Sequence, residues 1–421
     1  MTNNLTPSGE LILEKLGINP NNLRADFPTR EQRLQYRAVA QWITDYKPKS
    51  DATNLEKVRG YLETFYHFCK VQDWLRGSEI IFTRLNTPIN DELHWQLSIW
   101  GYYREQIELY NQLVGKLSPK LEGLFRGNLG TAYSALGNYT QAIDYYQESL
   151  TITREMGDRY GEGNWLGNLG TAYNALGNYT QAIDYYQQSL TIAREIGNRY
   201  GEGNWLGNLG ATYHSLGNYT QAIDYYQESL TITREMGDRQ GEGSCLGSLG
   251  TAYYALGDYT QAIDYYQQSL TIAREIGDRQ GEGNCLGSLG TAYYALDYYA
   301  LGNYTQAIDY YHQSLTIARE IGDRQGEGNW LGNLGATYHS LGDYPQAIDY
   351  YQQSLAIARE ISDHYGEALS LYKLARVHFK LDDRTQTLKY CNQALSIATE
   401  LGIPLVKECQ ELKEQLLREQ T

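Results

Sequence analysis

Apolar positions recur along this chain at helical spacing, and then the whole pattern recurs. In GEGNWLGNLGTAYNALGNYTQAIDYYQQSLTIAREIGNRY, residues 161–200, Leu166, Leu169, Tyr173 and Leu176 fall at i, i+3, i+7 and i+10. That spacing places them on one face of a helix. A Gly-Asn pair at 177–178 interrupts the pattern. A second set follows at steps of three and four: Tyr179, Ala182, Ile183, Tyr186, Leu190, Ala193 and Ile196. Gly197 comes next, where a left-handed helix C-cap belongs. The block returns at 201–240, 241–280, 281–325 and 326–365, with a diverged copy at 366–401 and an earlier one starting near Leu121. No segment sustains the alternation of a strand. The pattern predicts an all-α chain of helix pairs, A then B, on a period of 40 residues.

Neither helix of a pair can stand alone. Helix A carries Gly161, Gly163, Gly167 and Gly170, and each glycine inside a helix costs about 1 kcal/mol against alanine. Burying a large apolar side chain returns roughly 1.5–3 kcal/mol. The pair is therefore stable only when neighbouring pairs cover it, which is the logic of a solenoid. Leu166, Leu169-Gly170, Tyr173, Ala182 and Tyr186, repeated in at least six copies, resemble the signature of the tetratricopeptide repeat. The resemblance covers roughly 121–401 and implies a right-handed superhelical solenoid of stacked antiparallel helix pairs. Two features depart from the common pattern: the period is 40 residues, and helix B lacks the proline near its end. Both resemble the longer-repeat branch that includes Leu-Gly-Asn-repeat adaptors, kinesin light chains and long bacterial arrays.

Outside the clear copies the pattern weakens. Residues 51–120 read as two degenerate repeats, with VQDWLRGSEIIF at 71–82 and WGYYREQIELYNQL at 100–113 as their B helices. Residues 1–50 contain Thr29-x-x-Gln32, which fits a capping box at the start of a docked helix. Residues 402–421 place Leu405, Cys409, Leu412 and Leu416 on one stripe with charges elsewhere, the polar-backed cap that a solenoid end requires.

Composition narrows the partners. A net charge of −15 over 421 residues argues against nucleic acid and against anionic membrane surfaces. The N-terminus shows neither the basic nor the apolar part of a signal peptide, and no apolar run reaches spanning length. Cys69, Cys245, Cys285, Cys391 and Cys409 are scattered without C-x-x-C spacing. Reduced thiols in a cytoplasmic protein are the expectation. Chemistry is hard to find. GEGNWLG follows a helix and not a strand, so it lacks the context of a phosphate cradle. His214 and His339 have no second ligand at i+3 or i+4 and read as polar surface residues. Cys245 and Cys285 stand where other copies hold Trp165, Trp205 and Trp330, and read as small apolar replacements. Asp184 and its equivalents recur singly, so no acid–base pair is evident. The expectation is a non-enzyme with no cofactor and no metal.

The resemblance implies that A helices line the surface that holds a peptide or a partner helix. On helix A, Asn164, Asn168, Thr171 and Ala175 share the stripe away from the packed leucines. Asn128, Asn204, Asn208, Asn284, Asn329 and Asn333 occupy the same stripe in other copies. Asparagine amides carry both donors and acceptors and can bracket a backbone without demanding its sequence. In the last repeat Lys373, Arg376 and Lys380 take the stripe over, a basic end suited to a carboxylate. Tyr254 and Tyr294 sit at its edge. Two functions follow: a scaffold that binds a protein or peptide segment, or a sensor array that changes shape on ligand binding. Oligomeric state is open.

One repeat carries five extra residues, Asp297–Leu301. Five residues turn a helix by about 500°, roughly 140° past a whole turn. The expectation is an extra turn projecting from the A–B corner, with helix B resuming at Tyr304. YYAL occurs at 293–296 and again at 298–301, as slippage in a duplicated sequence would leave it.

Overall fold

The computed structural model describes residues 5–300 and 304–418. These residues form helices joined by turns, with one isolated antiparallel bridge between Arg84 and Glu92. The helices pack pairwise in chain order, so the fold is an all-α solenoid of helix hairpins. The chain divides into two compact units, Met1–Gly201 and Glu202–Thr421, and the boundary falls inside the helix Arg199–Ser215.

In the first unit, Gly9–Lys15, Leu23–Asp26 and Arg30–Thr44 precede Asn54–Lys70, Trp74–Ile81, Leu93–Ile99 and Tyr103–Leu113. Thr29 and Gln32 form the expected capping box, and Thr53 with Glu56 forms a second. Val39, Val58, Phe65, Phe68 and Leu97 share one core that extends to Phe125 and Leu129. Those two lie on Pro119–Ala135, the A helix paired with Tyr139–Glu155. Arg159–Ala175 and Tyr179–Glu195 complete the regular pairs of this unit.

In the second unit the pairs are Arg239–Ala255 with Tyr259–Ile276, Arg279–Ala300 with Thr305–Ile321, Arg324–Leu341 with Tyr344–Glu360, and His364–Lys380 with Arg384–Leu401. The B helix Tyr219–Met236 precedes them and Leu405–Arg418 follows. Leu405, Cys409, Leu412 and Leu416 of that last helix are all buried.

Most repeat helices start the same way for the same reason. Asp158, Asp238, Asp323 and Asp363 accept from the backbone N–H of Gly161, Gly241, Gly326 and Gly366 at 2.8–2.9 Å. Asn178 and Asp258 do this for B helices through Gln181 and Gln261. Such caps satisfy an otherwise orphaned donor and contribute about 0.5–2 kcal/mol each. Most described A–B turns pass through a glycine in the left-handed region, such as Gly177 at φ 75°, and the last passes through Asp382 at φ 56°. These turns correct one reading of the apolar pattern. Leu176 and Ile196, assigned to the packed face, are 51% and 40% exposed. Both are C-cap residues, where the chain already turns away from its own core.

Inside each pair the A-helix glycines face the B helix. A Cβ built on Gly170 would lie 2.7 Å from the Tyr186 ring, and Gly210, Gly250, Gly290 and Gly335 meet Tyr226, Tyr266, Tyr311 and Tyr351 in the same way. One turn away, Ser189 Oγ donates to the carbonyl of Gly163 at 2.6 Å, and Ser229, Ser269, Ser314 and Ser354 repeat that bond with Gly203, Gly243, Gly283 and Gly328. Tyr173 and Tyr185 stack with centroids 5.4 Å apart, a pairing that recurs at Tyr253–Tyr265, Tyr293–Tyr310 and Tyr338–Tyr350. Each such pair is worth about 0.5–1.5 kcal/mol beyond its buried area. These tyrosines are thus architectural.

The five-residue insertion lengthens its A helix, which continues unbroken to Ala300. Leu301, the last inserted residue, lies outside the described residues. Helix B begins at Thr305, and Tyr304 is its N-cap with φ 56°, one position later than the tyrosine start of the other B helices. Gly290 still meets Tyr311 and Ser314 still reaches Gly283, so the pair keeps its packing ahead of the extra length.

Alanine substitutions separate two kinds of glycine. Gly170→Ala, which would strike a fully packed ring, lowers local stability by about 1–3 kcal/mol through overpacking. Gly247→Ala places its methyl 3.5 Å from Ser269 Oγ. That is ordinary contact, so it raises stability by up to about 1 kcal/mol through helix propensity. Amide hydrogen exchange in the affected helix pair measures both.

Candidate binding surface on the A helices

The stripe of small polar residues is accessible in most repeats. In the first unit Asn164 and Asn168 are half-buried and Thr171 is exposed. Thr171 is already engaged: its Oγ1 donates to Gly167 and accepts from the Tyr186 hydroxyl at 3.1 Å. Asn128 departs from the expectation. It is 2% exposed and sits beside the Tyr110 hydroxyl. The helix Tyr103–Leu113 packs on this first A helix, and a buried polar network that includes His94 fills the junction. There His94 Nδ1 lies 2.7 Å from the Tyr110 hydroxyl, and Gln106 Nε2 donates to the His94 carbonyl at 2.7 Å. Asn128 therefore belongs to an end-packing core and not to an open surface.

In the second unit Asn204, Asn284 and Asn329 are exposed, and Asn208 and Asn333 are half-buried. Two cavities open along the stripe. One, of about 390 Å³, is lined by Ser244, Ser248, Thr251, Asn284 and Ser288 together with His214. The other, of about 270 Å³, brings Asn329 and Asn333 together with Lys373 across Ser354 and Ser370. Three of the sequence-derived candidates thus meet at one cavity.

The basic end has a distinct environment. Lys373 is half-buried, with Nζ 5.7 Å from the centroid of the Tyr351 ring. Burial first, and then the neighbouring Arg376, lowers its pKa from the usual lysine value. Arg376 lies 6.0 Å from the Tyr372 ring, and Lys380 is exposed. Among the described residues none of the three is paired with a carboxylate.

The two histidines are not plain surface residues. The Nε2 atoms of His214 and His339 are shielded from water without a hydrogen-bond partner. Their rings rest against Tyr219 and Tyr344 at 5.1 and 5.7 Å. Burial, followed by the charges of Arg376 and Lys380, lowers the pKa of His339. The helical period alone put these residues near the stripe's edge. Only the neighbouring B-helix tyrosine closes over them.

Away from the stripe, buried glutamates tie successive repeats. Glu242 accepts from Arg234 Nε of the preceding B helix at 2.8 Å and pairs also with Arg239, which reaches Glu275. Glu162, Glu282 and Glu327 make the same bonds with Arg154 and Arg159, Arg274 and Arg279, and Arg319 and Arg324.

The sequence profile described as tetratricopeptide repeat matches residues 123–195, 161–235, 201–275, 246–298 and 288–360, more than half of the chain. This chain belongs to the tetratricopeptide repeat family. The repeat is generally a non-enzymatic fold for protein interaction. Residues 340–402 also match the profile of anaphase-promoting complex subunit 5. No curated protein matches the chain. Among solved structures, a STAND protein with a tetratricopeptide repeat sensor from Pyrococcus horikoshii is 18% identical with a TM-score of 0.62. The likeness covers 93% of this chain and 56% of that one. The apo quorum sensor NprR from B. thuringiensis is 15% identical with a TM-score of 0.56, covering 82% of this chain and 99% of that one. Aspartyl phosphate phosphatase F from Bacillus subtilis is 14% identical with a TM-score of 0.53, covering 92% and 93%. At these identities the likeness shows the shared fold. Among the described residues no helix of the repeat array is long and apolar enough to cross a membrane.

The repeat-linking glutamates set an acid limit. Burial alone would raise the pKa of Glu162, Glu242 and Glu282, but two guanidiniums each outweigh it and hold them below the usual 4.5. A depressed folded pKa stabilises above the unfolded value and loses that contribution as pH falls through the folded one. Thermal stability therefore declines from 4.5 downward, and Glu242→Gln with Glu282→Gln flattens that decline while lowering stability at neutral pH.

Proposed function

We propose that the A-helix stripe of this protein binds an extended peptide or protein segment without catalysis. The observation that supports this reading is the cavity where Asn329, Asn333 and Lys373 meet. Two amides with free donors and acceptors face a cation that lacks a protein carboxylate. Amides on the stripe bracket a partner's backbone, each bond adding about 0.5–1.5 kcal/mol. Lys373, Arg376 and Lys380 receive an acidic side chain or chain terminus at one end. Charge there favours encounter with an acidic segment even though the whole protein is acidic, because screening confines electrostatics to about 10 Å. A cytoplasmic setting accords with five unpaired cysteines.

A sensor reading stands beside the scaffold reading. It draws on the fold shared with two proteins described as sensors. A sensor alters its small-angle scattering dimensions when the captured partner binds, whereas a scaffold keeps them.

For either reading, capture of a partner depends on the stripe. Replacing Asn168, Asn208 and Asn333 together by alanine, or Lys373 and Arg376 by glutamate, weakens a captured partner at least about tenfold, equivalent to about 1.4 kcal/mol. Circular dichroism and melting controls distinguish this from unfolding. Unchanged affinity in both variants would remove the stripe from the binding site.

A further inference from the structure

A single column of the repeat decides whether a notch in the stripe is filled. In helix A the residue at positions 165, 205, 245, 285, 330 and 370 is Trp, Trp, Cys, Cys, Trp and Ser. Where it is tryptophan, the indole lies on a glycine of the preceding A helix. A Cβ on Gly127 would overlap the Trp165 ring, and one on Gly287 would overlap the Trp330 ring. The same indoles stack on the preceding B helix, Trp165 on Tyr146 at 6.1 Å and Trp330 on Tyr311 at 6.3 Å. The ring thus fills a three-sided notch made of glycine, tyrosine and its own helix.

Where the tryptophan is missing, the notch stays open. A Cβ on Gly207, Gly247 or Gly332 meets only a serine hydroxyl of the B helix, at 3.7, 3.5 and 3.4 Å. The replacements turn inward to those serines: Cys245 Sγ is 3.2 Å from Ser229 Oγ, Cys285 Sγ is 3.2 Å from Ser269 Oγ, and Ser370 Oγ is 3.3 Å from Ser354 Oγ. They leave the ring's place free. Both cavities on the stripe coincide with such positions. Gly247, Tyr266 and Cys285 line the larger, and Gly332, Ser354 and Ser370 line the smaller.

We propose that the notches at Gly207, Gly247 and Gly332 are sockets for aromatic side chains of a partner polypeptide. The protein's own Trp165 and Trp330 show what fits, a flat ring resting on glycine and stacked on tyrosine; at Gly332 the Lys373 ammonium already lies over Tyr351, and an incoming ring takes its place. Size agrees, since an apolar cavity of about 150 Å³ already holds a benzene ring, and the two cavities are about 390 and 270 Å³. Ser248, Ser288 and Asn284 on the rim supply partners for an indole N–H or a phenol O–H. A free ring recovers contacts that the cysteine and serine copies forgo. This deepens the proposed peptide-binding reading and rests on it for the nature of the partner.

The test fills and opens sockets in the full chain. Cys245→Trp, Cys285→Trp and Ser370→Trp together plug all three, and Trp330→Cys opens a fourth at Gly287. The probes are N-acetyl-tryptophanamide and the pentapeptide Gly-Ser-Trp-Ser-Gly, with an alanine peptide as control, followed by ligand-observed NMR. Both tryptophan probes bind the wild type, their binding falls several-fold in the triple variant, and Trp330→Cys increases it. Plugging also raises the melting temperature, as cavity filling does. Equal binding to wild type, triple variant and Trp330→Cys would overturn the proposal. So would binding of the free amide without the pentapeptide, which would make the notch a small-molecule site. If the triple variant fails to fold, the gain or absence of gain in Trp330→Cys still decides. Alanine at Asn164 and Asn168, which line neither cavity, leaves probe binding intact, so loss of the sockets and loss of the amide stripe are read separately.

Discussion

The close approach of helix B to the glycines of helix A is the constraint on which each repeat depends. A tyrosine ring lies flat where Gly170, Gly210, Gly250, Gly290 and Gly335 present bare backbone. A serine hydroxyl then bonds the carbonyl of a second glycine about two turns earlier. Any side chain at the first glycine would push the helices apart and break the serine bond at the second. The helix penalty of glycine, about 1 kcal/mol per residue, is offset by a contact that no other residue allows. Such a pair has little core of its own, so its stability comes from stacking.

Stacking is held by apolar contact and by charge in separate places. Leu166 and Leu169, or Leu246 and Leu249, are almost fully buried against the preceding pair. At the opposite ends of the helices, glutamates such as Glu242 and Glu327 each join two arginines. Isolated surface ion pairs contribute little, but these glutamates are largely buried and each is held from both sides. These ion pairs lie at the repeat junctions, and the A-helix stripe is left nearly neutral until the last repeat.

This arrangement also explains how the array tolerates variation. The insertion in the helix Arg279–Ala300 adds length beyond Gly290, after the tyrosine and serine contacts have been made. The tryptophan column varies because it faces the stripe and not the hairpin core. Its loss opens a notch but leaves the serine bond of the preceding pair in place.

Much of the architecture was legible in the sequence because it is local. Helical spacing of leucines, caps three residues before a backbone donor, glycine turns and the repeating block depend on neighbours along one chain segment. They determined the all-α repeat, its pairing into hairpins and the polar stripe. Tertiary structure decided what depends on side chains from different helices. It buried Asn128 beneath the junction with the preceding helices and closed tyrosines over His214 and His339. It exposed Leu176 and Ile196 at helix ends, and it revealed that a tryptophan in one repeat fills a glycine notch in the one before. A period in the sequence says which residues share a face. It does not say how near the next helix comes, and that distance is what turns a glycine into either a packing surface or a socket.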